Sequence, residues 1–207
     1  QNGVNAITIR EDDQVIQVRL TTGDSQIIMA NKHGRAIRFH ESTVREMGRT
    51  ATGVRGMTLD ETGDDEVIGM ICIKDPEKET VMVVSEQGYG KRSEIEDYRI
   101  TNRGGKGVKT LNITEKTGNL VAIKSVTDEN DLVIINKSGI TLRMKVADVR
   151  IMGRATQGVR LINLEKRNDE IASVCKVLSE TESDSSNSEN IDSASEINEA
   201  EASETTE

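Results

Sequence analysis

Aromatic residues are almost missing from this sequence: among 207 residues there are no Trp, one Phe (Phe39) and two Tyr. Modules that grip unpaired nucleic-acid bases stack them on such side chains, so the scarcity argues against single-strand recognition. It also leaves any core to Ile, Val, Leu and Met. Two cysteines, Cys72 and Cys175, are too few and too scattered for a disulfide framework or a zinc site. No apolar run approaches the ~20 residues needed to cross a bilayer, and no signal peptide is visible. We therefore expect a cytoplasmic chain with no membrane contact. The first residue is Gln, so the N-terminus reads as truncated.

Basic charge is also missing, but only from one region. The formal net charge is −9, and residues 179–207 hold ten Asp or Glu with no Lys or Arg. Such a stretch cannot bury enough apolar surface to offset its ordering entropy, so it reads as a disordered acidic tail. Residues 1–178 then carry +1 and make up the folding part.

That part is built from repeats. Residues 34–59 and 139–164 share eleven identities without a gap, among them Gly34/Gly139, Arg38/Arg143, Arg45/Arg150, Gly48/Gly153, Arg49/Arg154, Gly53/Gly158 and Arg55/Arg160. Residues 88–113 form a weaker middle copy that keeps Gly88, Arg92, Arg99, Arg103 and Gly107, with Lys109 in place of Arg. Gly3 to Ile9 align with the end of the motif at Gly53–Leu59. Short aliphatic runs precede each copy: 15–20 and 26–30, then 67–73 and 81–84, then 120–123 and 132–135. These read as strands. The later member of each pair is continuously apolar, which predicts burial on both faces. A further run at 171–177 opens another unit. The fold class is therefore all-β, in units of four strands at about 50 residues, the signature of blades arrayed about an axis. The aromatic markers of kelch and WD40 blades are absent.

Positive charge sits in the motif. The three windows carry +3, +3 and +4, which leaves the rest of residues 1–178 at −9. Stacked units would bring equivalent loops to one rim, with Arg45, Arg99 and Arg150 in one stripe and Arg49, Arg103 and Arg154 in another. A curved basic stripe suits a bent polyanion, and arginine grips phosphate bidentately. The candidate DNA-binding residues are Arg35, Arg38, Arg45, Arg49 and Arg55 in the first copy. In the second they are Lys91, Arg92, Arg99, Arg103, Gly104, Gly105, Lys106 and Lys109. In the third they are Arg143, Lys145, Arg150, Arg154 and Arg160. Arg103-Gly104-Gly105-Lys106-Gly107 is the densest loop, and its glycines let backbone approach phosphate.

Other motifs fail. Gly48 and Gly53 have P-loop spacing, but Val54 stands where Lys is required, and Gly153 to Gly158 fails the same way at Val159. His33 and His40 lack a visible ligand set and read as surface or turn residues, so no metal site is expected. The sequence offers no nucleophile–base pair, and no catalytic residue is assigned.

The strings Val44-Arg45-Glu46-Met47-Gly48-Arg49 with Gly53-Val54-Arg55-Gly56, and Gly88-Tyr89-Gly90-Lys91-Arg92 with Arg103 to Gly107, resemble the C-terminal domain of the DNA gyrase A protein. The resemblance spans residues 1–178. It implies a β-pinwheel, propeller-like and with blades that exchange strands, of which about three to four are present. It implies a non-catalytic rim that wraps duplex DNA within an ATP-hydrolysing type II topoisomerase of the bacterial cytoplasm, associated with the nucleoid. The partners would be duplex DNA, the gyrase B protein and a second gyrase A protein. ATP and Mg would serve the whole enzyme, with no cofactor bound in this chain. The diagnostic Gln-Arg-Arg-Gly-Gly-Lys-Gly-like box of a first blade is absent, and Thr101 to Gly107 is its near relative in a later one. The alternatives are the corresponding domain of topoisomerase IV, with little wrapping, and a protein-interaction propeller.

Overall fold

The computed structural model describes residues 3–164 and 169–179. The acidic stretch expected to be disordered lies outside the described residues from 180 onward.

Among the described residues eleven strands follow in order: β1 Gln26–Asn31, β2 Arg35–His40, β3 Val67–Ile73, β4 Thr80–Ser85, β5 Tyr89–Glu94, β6 Val108–Lys109, β7 Leu120–Val126, β8 Asn130–Asn136, β9 Thr141–Lys145, β10 Val159–Arg160 and β11 Ile171–Leu178. Each of β2, β5 and β9 runs directly into a one-turn 3-10 helix: Glu41–Thr43, Ile95–Asp97 and Val146–Asp148. The hairpin turns between β1 and β2 and between β4 and β5 need a left-handed residue, and Gly34 and Gly88 supply it at φ 77° and 75°.

The units are not the sheets. A reading of four consecutive strands per blade gives way to exchange between neighbours. The β1–β2 hairpin is flanked by β3 and β6, both from the next unit, in the order β3-β1-β2-β6. The β4–β5 hairpin is flanked in the same way, in the order β7-β4-β5-β10, and β8–β9 is joined by β11. Pairing in the first two sheets is antiparallel, with Ile28 opposite Arg38 and Ile71 and Met82 opposite Arg92 and Lys124.

The run at 15–20 reads as a strand but forms none here. Val18 and Leu20 are exposed, and Gln17 Oε1 accepts from the Met70 amide at 2.9 Å.

The core lies between sheets. β4 sends Val81 and Val83 into one layer with Ile28, Ile71 and Ile95, and Met82 and Val84 into the next with Leu132, Ile134 and Val146. Burial on both faces is why its sequence is continuously apolar. Each such side chain contributes about 1.5–3 kcal/mol on burial. A third layer, Ile27, Ile37, Phe39 and Met57, covers the far face of the first sheet.

Candidate nucleic-acid interface

The repeated cations occupy four kinds of position. Arg38 and Arg92 lie inside the sheets, almost fully buried. Arg38 donates from Nη1 to the carbonyls of Ile95 at 2.8 Å and Tyr98 at 2.9 Å, and from Nε to Gln26 Oε1 at 2.8 Å. Arg92 donates from Nη1 to the Val146 carbonyl at 3.3 Å, from Nε to Thr80 Oγ1 at 3.0 Å, and pairs with Asp128 at 2.6 Å. Both guanidiniums thus brace the 3-10 turn of the next unit. Burial lowers the pKa of Arg38, and Glu96 opposes the shift. Lys91 is also enclosed: its Nζ donates to the Gly153 carbonyl at 2.6 Å. Desolvation lowers its pKa from 10.5 to about 8. The repeat pattern puts these three residues on a DNA-facing rim. The structure corrects that and turns them inward, because they lie on central strands between neighbouring layers.

The second kind sits in the loops. Arg103 donates from Nε to the Thr43 carbonyl at 2.9 Å and from Nη1 to the Arg55 carbonyl at 3.1 Å. Arg154 donates to the Asp97 carbonyl at 3.0 Å and the Lys109 carbonyl at 3.0 Å. The acceptors are equivalent, since Thr43 and Asp97 each end a 3-10 turn and Arg55 and Lys109 match in the repeat. A backbone bond recurs beside these loops: the amides of Thr8, Thr58 and Asn112 donate to the carbonyls of Ala51, Gly105 and Thr156. Arg49, the third copy, is exposed.

A third set is open to solvent. Arg45, Arg99 and Arg150 each lie two residues past a 3-10 turn and are exposed. Among the described residues nothing hydrogen-bonds or ion-pairs with these three side chains. Arg55, Lys106 and Lys145 are exposed as well.

The fourth set is held from the side. Arg160 donates from Nε and Nη2 to Tyr89 Oη at 3.1 and 2.9 Å and lies over its ring. Arg143 pairs with Asp131 at 2.8 Å. Lys109 Nζ donates to Asn112 Oδ1 at 3.1 Å, and Arg35 is half-buried beside the Gly107 carbonyl.

Gly104 and Gly105 hold the densest loop against the unit before it. The Gly104 amide donates to the Gly56 carbonyl, and Thr58 Oγ1 donates to the Gly104 carbonyl at 2.6 Å. Gly107, at φ 71°, passes so close to the Ala36 carbonyl that a Cβ would meet its oxygen at 2.3 Å. These glycines serve loop packing.

One cluster escapes a reading of the sequence. His33 Nδ1 lies 3.1 Å from Asp60, and Nε2 lies 3.4 Å from Asp64. Asp65 is close by and buried at its side chain. The acidic run 60–66 stands far from His33 in sequence, and only the pairing of β1 with β3 joins them. Asp65 accepts from Asn31 Nδ2 at 2.6 Å and from the amides of His33 and Asp60, so its oxygens brace the turn. Hydrogen bonding to Asp60 raises the His33 pKa against the opposing effect of burial. Carboxylates at both ring nitrogens suit an imidazolium better than a metal ion.

Among the described residues no helix is long and apolar enough to cross a membrane. A sequence model of the family described as "DNA gyrase C-terminal domain, beta-propeller" matches residues 1–22, 25–74, 79–127 and 130–175. The DNA gyrase A protein of Staphylococcus aureus (strain NCTC 8325) is 48% identical over 189 residues, 91% of this chain and 21% of that protein. The chain therefore spans about a fifth of this relative's length. Two solved structures share the fold. The C-terminal domain of DNA topoisomerase IV has a TM-score of 0.77 at 26% identity, covering 84% of this chain and 53% of that one. A DNA gyrase A C-terminal domain has a TM-score of 0.76 at 28% identity, covering 85% and 58%.

Proposed function

Because the chain belongs to the DNA gyrase C-terminal domain family, a β-propeller, we propose that it binds duplex DNA without catalysing a reaction, as the C-terminal domain of a gyrase A protein. The observation that carries this reading is the recurrence of Arg45, Arg99 and Arg150. Three units place an arginine at the same point past a 3-10 turn, and each is left open to solvent. Solubility alone does not require equivalent positions. Phosphates spaced along a duplex do, and each one neutralised releases counterions.

Residues 1–178 form the binding repeats in this reading, and residues 179–207 are a separate acidic tail. Contact is with the backbone, so binding is indifferent to sequence. The duplex bends to reach successive units, at a deformation cost offset by added contacts. The whole protein would act with the gyrase B protein and a second gyrase A protein, in the bacterial cytoplasm and at the nucleoid. It would use ATP and Mg held elsewhere to introduce negative supercoils.

The topoisomerase IV counterpart is the second reading, because the two solved folds match this one about equally, at TM-scores of 0.77 and 0.76. The 48% identity to a gyrase A protein favours the first. Ligation of nicked circles in the presence of the chain separates them. Wrapping changes the linking number of the sealed circles. Binding with an unchanged linking number supports the topoisomerase IV type, and no binding removes both.

A further inference from the structure

We infer that Arg103 and Arg154 are positioning residues for this surface, each fixing where the exposed cations of the preceding unit stand. This rests on the DNA-binding reading and adds to it an order among the arginines.

The geometry is repeated in detail. Arg103 spans two carbonyls of the preceding unit, Thr43 at 2.9 Å and Arg55 at 3.1 Å. The first lies two residues before exposed Arg45, and the second belongs to exposed Arg55 itself. Arg154 spans Asp97 and Lys109, each at 3.0 Å. Asp97 lies two residues before exposed Arg99, and Lys109 is exposed too. Each clamp therefore ties both ends of one loop to the next loop along. The two cations beside its acceptors are held relative to each other and to the clamp.

Chemistry explains why the clamp is arginine. Nε and Nη1 project from one rigid plane and reach two acceptors at once. A lysine ammonium keeps the charge but satisfies the pair poorly from a single nitrogen on a flexible stem. A phosphate contact tolerates that exchange far better than a two-carbonyl clamp does. The same residue types thus perform two tasks, and exposure divides them: Arg45 and Arg99 are open, whereas Arg103 and Arg154 are half-buried.

The test measures duplex affinity against salt for the chain, for Arg103→Lys and for Arg103→Gln, with thermal unfolding of each. One lost phosphate contact lowers the log–log salt slope by about 0.9. Both variants should lower it by about two contacts, since Arg45 and Arg55 lose their placement together. Amide exchange should also quicken at Thr58, whose amide bonds to the Gly105 carbonyl at 2.9 Å, with Asn112 unchanged. Recovery of the slope by lysine, or a loss of about one contact in the Gln variant alone, would make Arg103 a direct phosphate ligand and overturn the inference. A lower unfolding temperature with an unchanged slope would make the clamp merely structural and also overturn it. If both Arg103 variants unfold, Arg154→Lys read at Asn112 repeats the test in the next unit. An unsubstituted chain whose affinity ignores salt defeats the DNA reading itself, which is a separate result.

Discussion

The buried ammonium of Lys91 donates to the Gly153 carbonyl of the next unit at 2.6 Å. In the first unit the equivalent position is Ile37, also buried. A charge has therefore been placed where a neighbouring unit uses a hydrocarbon, and desolvation brings its pKa down from 10.5 to about 8.

The first prediction follows from that shift. Between pH 8 and 10.5 the native state has released a proton that the unfolded state still holds, so this group makes stability rise with pH across the window. Lys91→Met removes the contribution. The variant should be at least as stable as the parent at about pH 7, and the parent should gain on it up to pH 10.5. Thermal unfolding against pH checks this; a constant difference would contradict it.

Arg38 and Arg45 should part company in a second comparison. Arg38→Ala leaves the Tyr98 carbonyl and Gln26 Oε1 without their donor, and strips the Ile95 carbonyl of one of its two, and should cost about 3 kcal/mol. Arg45→Ala removes an exposed side chain and should change stability by no more than about 0.5 kcal/mol. Urea unfolding measures both. Equal losses would mean that Arg45 has a structural role.

That contrast also marks what the sequence discloses. Units and turn glycines are legible from periodicity, and so are the runs at 26–30, 67–73, 81–84, 120–123, 132–135 and 171–177, which fall within strands of the structure. Exchange is not legible from periodicity, because a repeat fixes the period of the units and not where a sheet is cut. The division of the arginines is hidden for a related reason. Arg38 and Arg45 both recur, and only the neighbouring sheet shows that one lies under a 3-10 turn. A partial signal exists: Arg38 stands between Ile37 and Phe39 in a strand, whereas Arg45 follows a turn. The His33 cluster depends on β1 pairing with β3, which is itself a product of exchange.

Gly107 supports a third prediction. It has φ 71° and faces the Ala36 carbonyl, whereas Gly23 has φ 97° with open space around it. Gly23→Ala should cost about 1 kcal/mol from backbone strain alone. Gly107→Ala adds a backbone clash and should cost about 3 kcal/mol. Similar losses in urea unfolding would refute the close approach.

His33 supplies a fourth. Its native pKa is raised above the ordinary 6.5, chiefly by hydrogen bonding to Asp60. The stability this provides is complete below pH 6.5 and fades as pH climbs through the raised value. His33→Gln, the residue found at 87 in the next unit, should lose most against the parent in acid and little in base. An imidazole titration by NMR with its midpoint at or below 6.5 would overturn this.

If the arginines repeated past each 3-10 turn meet the phosphates of a duplex, the salt dependence of duplex binding must differ between the chain and the Arg45→Ala/Arg99→Ala/Arg150→Ala variant. We predict a steep linear fall of log affinity with log salt, and a slope smaller by about three contacts, each worth about 0.9, in the variant. The loss should be the same for every duplex sequence tried. An unchanged slope, or a loss confined to some sequences, would contradict the account.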